Sequence, residues 1–269
     1  PVAPSYQRSG VCSEAPVGFA HCLAIQVKPT NQPGVFTAHN RSVTPNGFSP
    51  ADLRSAYQLP ARGGKRHIVA IVDAYNAPTA EKDLAVYRAQ YGLPPCTTAN
   101  RCFKKVDQKG GTHYPKNDPS WAQEISLDLD MVSAICPNCH ILLVEADGAS
   151  FDDLGKSVNT AVRLKANIVS NSYGAFEDAQ TVKSAAKYYK HRGVIIVASA
   201  GDNGYGVQVP AAFNDVIAVG GTSLNHASNS RGWSETVWSG TGSGCSQYVG
   251  KPGWQKDKGC HKRSVTDIS

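Results

Sequence analysis

The chain is short of charge and of methionine: Asp, Glu, Lys and Arg make up 18% of its 269 residues, and Met occurs once. An average soluble domain carries about 25% charged residues, so a highly charged, disordered polypeptide is excluded. No apolar run approaches the ~20 residues of a membrane-spanning helix, and no membrane partner is expected. A basic stretch followed by an apolar one is missing from the start, so any secretory leader is expected to be gone already. The 25 Gly and 16 Pro are scattered, which rules out collagen-like and coiled-coil chains. Dense Lys/Arg clusters are also lacking at a net charge of +6. Lys104-Lys105 and Lys262-Arg263 read as solvated surface, and no nucleic-acid partner is expected. There is no Gly-x-Gly-x-x-Gly turn opening a helix and no phosphate loop ending in Gly-Lys-Ser/Thr, which argues against nucleotide binding.

What is present begins with 41% hydrophobic residues, enough for a sizeable core, and 8 Cys. The cysteines fall into close pairs: Cys12/Cys22, Cys96/Cys102, Cys136/Cys139 and Cys245/Cys260. Disulfides clipping local loops are the expected use, which implies an oxidising, secreted and extracellular location. A structural zinc site is the alternative, with Cys136 and Cys139 joined by Cys96 and Cys102. Asn40-Arg41-Ser42 is the single glycosylation sequon, of consequence only in a eukaryotic secretory pathway.

Residues 1–45 carry turn residues without periodicity and are expected to form an N-terminal extension. Residues 46–269 read as the main domain. Ile68–Val72, His140–Val144, Asn167–Ser172, Val194–Ala198 and Val216–Val219 are short, wholly apolar or nearly apolar runs. Helical patterns separate them over Thr79–Tyr91, Ser120–Ile135, Phe151–Lys165 and Ala179–His191. Buried strands alternating with helices predict an α/β fold, a parallel sheet with helices on both faces. The segment between residues 92 and 119 reads as a clipped loop, and the Gly/Ser/Trp-rich stretch after Gly221 as loops and hairpins. Chemistry in such sheets gathers at the carboxyl ends of the strands. Those ends are Asp73-Ala74-Tyr75, Glu145-Ala146-Asp147-Gly148, Ser172-Tyr173-Gly174 and Ser199 to Gly204.

Glu124 and Asp128 stand four residues apart in the long apolar helix, so their carboxyls share one face. With Ser170-Asn171-Ser172-Tyr173-Gly174 and Ser199-Ala200-Gly201-Asp202-Asn203-Gly204, this pair resembles the motifs of the sedolisin family of serine-carboxyl peptidases. All three motifs follow the family's order, and the likeness runs from about Gly47 to Ser269. The resemblance implies a subtilisin-like fold and acid proteolysis of peptide or protein substrates. It makes Glu124 the base that takes the serine proton, Asp128 its orienting partner and Asp202 a donor to the oxyanion. A carboxyl base is matched to acid conditions, and Asp202 can donate a hydrogen bond only when protonated. Ser170, Ser172, Tyr173 and Gly174 would offer backbone to an extended substrate by β-augmentation.

Two residues look catalytic at first glance. Ser223, in Gly221-Thr222-Ser223, matches the local sequence around the family's nucleophile but follows a strand and lacks the proline three residues on. Asp73 ends the first strand where subtilisins place a triad aspartate, yet His113 and His140 are expected in a loop and at a strand end, not beside it. The resemblance puts the nucleophilic serine and the family's calcium site beyond Ser269, so the fold is expected to be incomplete at its C-terminus. No cofactor is expected within residues 1–269, and the chain alone is expected to be inactive. A second polypeptide carrying the rest of the domain, a truncated product, or an inactive relative that binds a peptide or protein partner would each account for this.

Overall fold

The computed structural model describes residues 6–30, 45, 47–60 and 63–269. The sequon at Asn40, the expected boundary at residue 46 and much of the expected extension lie outside them. Strands β1 (Tyr6–Gly10), β2 (His21–Cys22) and β3 (Ile25–Pro29) precede helix α1 (Pro50–Ala56). Then come β4 (Ile68–Ala74), α2 (Ala80–Gln90), β5 (Phe103–Asp107), α3 (Pro119–Ile135), β6 (His140–Ala146), α4 (Phe151–Arg163) and β7 (Ile168–Asn171). They are followed by β8 (Tyr173–Phe176), α5 (Ala179–Ala185), β9 (Ile195–Ser199), β10 (Gln208–Val209) and β11 (Ile217–Val219). Two hairpins end the chain, β12 (Thr222–His226) with β13 (Trp233–Val237) and β14 (Gly244–Gly250) with β15 (Lys262–Val265).

Six strands form one sheet in the order β11-β9-β7-β4-β6-β5, every neighbouring pair parallel. Side chains alternate across a strand with period two, and β4 uses both sides. Ala70, Val72 and Ala74 pack with Phe151, Leu154 and Val158 of α4. Ile71 packs on the other side with Leu84 of α2 and with Ile125 and Leu129 of α3. Helices thus cover both faces, as expected. Each fully buried Ile or Leu here contributes roughly 1.5–3 kcal/mol. The two-residue step from Ile71 puts Asp73 on the α3 side as well.

Local chemistry fixes the helix that matters most. Asp118 caps α3 by accepting from the N–H groups of Ser120 and Trp121, both at 3.0 Å, and Pro119 opens the first turn. The other end closes at Cys136, bonded to Cys139. The remaining disulfides are Cys12–Cys22, Cys96–Cys102 and Cys245–Cys260. All eight sulfurs are therefore committed to disulfides, which removes the zinc alternative.

Three local readings change. The stretch read as a clipped loop contains β5, an edge strand. Its Lys104 and Lys105 interrupt the apolar pattern, as charges on sheet edges commonly do. The run Asn167–Ser172 stops pairing after Asn171. The chain turns out at Ser172, and β8 joins a second, antiparallel sheet of order β10-β8-β2. The helix expected over Ala179–His191 is α-helical only to Ala185 and tightens to a 3-10 turn at Ala186–Tyr189. That turn delivers the Tyr189 hydroxyl to 3.0 Å from the Tyr173 hydroxyl in the core.

Candidate active site

Glu124 and Asp128, one turn apart on α3, stand over the carboxyl end of β4. Glu124 is buried, and its Oε2 has no hydrogen-bond partner among the described residues. The backbone N–H groups of Leu23 and Ala24 lie close enough to favour its charged form. Asp128 accepts a 2.7 Å hydrogen bond from the Ser172 hydroxyl at Oδ1, while its Oδ2 is buried without a partner. Asp73 lies beneath them, fully buried, with both carboxyl oxygens unpartnered.

Three carboxyls so placed cannot all be charged. Burial, reinforced by Asp128, pushes the Glu124 carboxyl up to about 9, against the opposing pull of the Leu23 and Ala24 N–H groups. Burial likewise pushes Asp128 up to about 7, with the Ser172 hydroxyl pulling the other way. Asp73 is raised well above the carboxylate range by burial and then by Asp128, Glu124 and Glu145. The cluster therefore holds protons in the folded state. Glu145, the next carboxyl along the sheet, is neutralised differently. It pairs with Lys105 Nζ at 3.0 Å and accepts from the Ala77 N–H at 2.8 Å.

Asp202 comes from the turn after β9. The turn is positioned at Ala200, whose N–H donates to Val219 at 2.8 Å, and by the Gly242 N–H donating to the Gly201 carbonyl at 2.6 Å. Gly201 sits at φ +105°, and a Cβ there would come within 2.7 Å of the Gln208 side chain. Both features require glycine. Asp202 is half-buried; burial raises its carboxyl to about 6, and its charge in turn acts on Glu124. A cavity of about 340 Å³ lies beside it, lined in part by Ser170, Ser172, Ser199, Gly201 and Trp238.

The segment Ser170–Gly174 supplies the edge of the cleft. Ser170 faces the cavity from β7. The backbone of Tyr173 and Gly174 pairs with Cys22 and His21, and the Ser172 carbonyl accepts from the Leu23 N–H at 3.3 Å. The Tyr173 side chain points the other way, into the core, where its hydroxyl donates to Asn171 Oδ1 at 2.8 Å. All seven expected site residues thus fall in one region, and Asp73 joins them.

Gln208 was not anticipated. Its carboxamide is buried with neither end partnered and lies against both Gly174 and Gly201. No motif marks it in the sequence. The two decoys separate: Ser223 is exposed in β12, opposite Thr236, away from the carboxyls. His140 opens β6 at the far end of the sheet with Nδ1 2.9 Å from the Arg101 carbonyl. His113 follows β5, its N–H bonded to Asp107. Among the described residues no group of three or more His, Cys, Asp or Glu is arranged to hold a metal ion.

Comparison with known proteins agrees with this geometry. The sequence profile of the subtilase family matches residues 113–254, a span containing α3, the Ser170–Gly174 edge and Asp202. Kumamolisin from Bacillus sp. (strain MN-32) is 32% identical over 249 residues, covering 83% of this chain and 44% of its own length. The major intracellular serine protease of Bacillus subtilis (strain 168) is 32% identical over 104 residues, 35% of this chain and 33% of that protein. The chain therefore spans less than half the length of either relative. Pseudomonas sedolisin, a serine-carboxyl proteinase solved with two molecules of pseudo-iodotyrostatin, superposes with a TM-score of 0.72 at 25% identity. That superposition covers 84% of this chain and 71% of sedolisin. With a subtilisin-like sheet, the acidic pair on α3 and these relatives, the chain belongs to the subtilase family, on its sedolisin branch.

Proposed function

We propose that this chain contributes the acid machinery of a secreted serine-carboxyl endopeptidase that cleaves peptide or protein substrates at low pH. The observation that carries the reading is the convergence of Glu124 and Asp128 with Asp202 beside the backbone edge at Ser172–Gly174, which His21–Leu23 pair with in this structure. An extended substrate pairs with that edge in place of His21–Leu23 and lays its carbonyl between the two acidic groups. By the likeness to sedolisin, the attacking serine hydroxyl is supplied from outside the described residues. Glu124 acts from the microstate in which its own carboxyl is ionised and the cluster's proton sits on Asp128: it takes the hydroxyl proton as the oxygen bonds to the carbonyl carbon, then gives it to the departing amine. Asp128 holds Glu124 and shares its proton load. Asp202, protonated below about pH 6, donates to the developing oxyanion. Four disulfides favour the extracellular assignment, and residues 1–45 act as an extension to the peptidase domain.

The test is hydrolysis of internally quenched peptides by the full-length protein between pH 3 and 8. Turnover that rises below about pH 6 and disappears in Glu124→Ala is expected. Full activity in Glu124→Ala would sink the reading, and tight peptide binding with no turnover at any pH would favour an inactive, peptide-binding relative.

A further inference from the structure

The stretch from Ala179 to Gly193 carries Lys183, Lys187, Lys190 and Arg192 and no Asp or Glu. No two of these cations are adjacent in sequence; folding lines them up. Thr181, Ala185 and Tyr189 recur at every fourth residue and are buried. Lys183 and Lys187, each two residues from a buried position, fall on the opposite side of the helix. Both are exposed, as are Lys190 and Arg192. The tightening from α-helix to 3-10 turn after Ala185 aligns them further. Three residues complete one 3-10 turn, which brings the Lys190 position back over Lys187. The rise is about 7 Å from Lys183 to Lys187 and about 6 Å from Lys187 to Lys190. The result is an evenly spaced row of positive charge.

The row is firmly seated and not neutralised. A Cβ at Gly155 of α4 would come within 2.3 Å of the Tyr188 ring, so α4 and the 3-10 turn pack without a gap. Asp152 of α4, which faces the turn, accepts from the Tyr188 hydroxyl and pairs with Lys156 at 2.5 Å. Asp153 is held by Ser150 and Gln108. Asp178 caps α5 by accepting from the Gln180 and Thr181 N–H groups. Lys187 lies over the Tyr188 ring at 4.8 Å. Among the described residues none of the four cations forms an ion pair. Charge is also segregated across the sheet: α3, on the other face, carries Glu124, Asp128 and Asp130 and no Lys or Arg.

The charge calls for an anionic partner, and what the row lacks says which kind. The apolar side of α5 is already in the core, so no apolar face remains to enter a lipid layer. Tyr188 is bonded to Asp152 and Tyr189 is buried, so neither is free to stack on bases. A straight line of regularly spaced cations fits a chain with regularly spaced anions. We propose that Lys183, Lys187, Lys190 and Arg192 form a docking row for a linear anionic polysaccharide. Arg192 precedes β9 at the end of the sheet opposite Asp202. A polymer lying along the row therefore tethers the protein and leaves the carboxyl ends of the strands open. This docking does not depend on the peptidase reading of the cleft.

The test uses a dye-labelled dextran sulfate oligomer, with neutral dextran for comparison, and fluorescence anisotropy on the full-length protein. Lys183→Gln/Lys187→Gln/Lys190→Gln removes the row. Lys104→Gln/Lys256→Gln/Lys258→Gln removes the same charge from exposed positions elsewhere. Saturable, salt-sensitive binding by wild type is expected, at least tenfold weaker in the row variant and within twofold of wild type in the other. An equal loss in both variants overturns the row, because net charge alone then accounts for the binding. No binding by wild type, or equal binding of neutral dextran, overturns it as well. Tighter binding to phosphatidylglycerol vesicles or to duplex DNA than to dextran sulfate at the same salt overturns the polysaccharide assignment. If the row variant melts well below wild type, Lys190→Glu decides: weaker binding supports the row, and unchanged binding overturns it.

Discussion

Ser172 hands its hydroxyl to Asp128 at 2.7 Å while its carbonyl receives the Leu23 N–H, so one residue joins the acidic pair to the cleft edge. The hydroxyl stabilises the charged form of an otherwise unpartnered, buried carboxylate. Hydrogen bonds to charged groups are worth about 1.5–3 kcal/mol. Ser172→Ala is expected to raise the Asp128 pKa by about one unit, equivalent to ~1.4 kcal/mol. Carbon-detected NMR titration of the side-chain carboxyls reads this directly. An unmoved Asp128 titration would mean that the hydroxyl does not tune it.

Glu124→Gln keeps the shape and removes the proton acceptor. For the proposed peptidase activity kcat should fall by ~10²–10⁴-fold, the usual range for losing a general base. At pH 8 the melting temperature should hold or rise, because a carboxyl that is costly to ionise has been replaced. Loss of activity together with a large loss of stability would instead point to a structural role.

Acid should stabilise this protein. A carboxyl raised in the folded state binds its proton more tightly there than in the unfolded chain. Its contribution is complete below the unfolded value near 4 and is lost as pH climbs through the folded value. With Asp128 at about 7 and Glu124 at about 9, that loss falls between pH 4 and 9. At roughly 2–4 °C per kcal/mol for a chain of this size, the melting temperature should drop by at least ~5 °C from pH 5 to pH 9. Asp52, held low by Ser49, works in the opposite sense only below about pH 4. A flat calorimetric profile over this range would contradict the proton-holding cluster.

Gly242→Ala is expected to damage the site from a distance. A Cβ at Gly242 would meet the Ala200 carbonyl oxygen at 2.0 Å, a backbone atom with no freedom to swing away. The turn carrying Asp202 must shift or the N–H bond from Gly242 to Gly201 must break. Overpacking of this kind costs about 1–3 kcal/mol. Urea unfolding should report that loss, and the Asp202 titration should move from about 6 towards the ordinary carboxylate range as water enters.

The sheet and the α3 pair were legible because both leave local patterns: wholly apolar runs for buried parallel strands, and i, i+4 spacing for a shared helical face. β5 was hidden because an edge strand need be apolar at only some positions, Phe103 and Val106 here. Asp73 meets Glu124 only through the packing of α3 on β4, and no spacing in the chain encodes that meeting. Gln208 owes its place to two glycines, Gly174 and Gly201, far from it in sequence or across a turn. Residues 18–24 carry no strand signal of their own. They become extended because two edges with unpaired backbone groups flank them.

The neighbouring carboxyls at the end of the sheet differ in what balances them. Glu145 has a lysine, Lys105, fixed 3.0 Å away, while Asp73, Glu124 and Asp128 have only protons drawn from the solvent. Alkaline medium therefore charges one flank of this sheet and leaves the other as it was. The molecule acquires a lopsided field along the cleft floor, and any anionic chain approaching it meets added repulsion over α3.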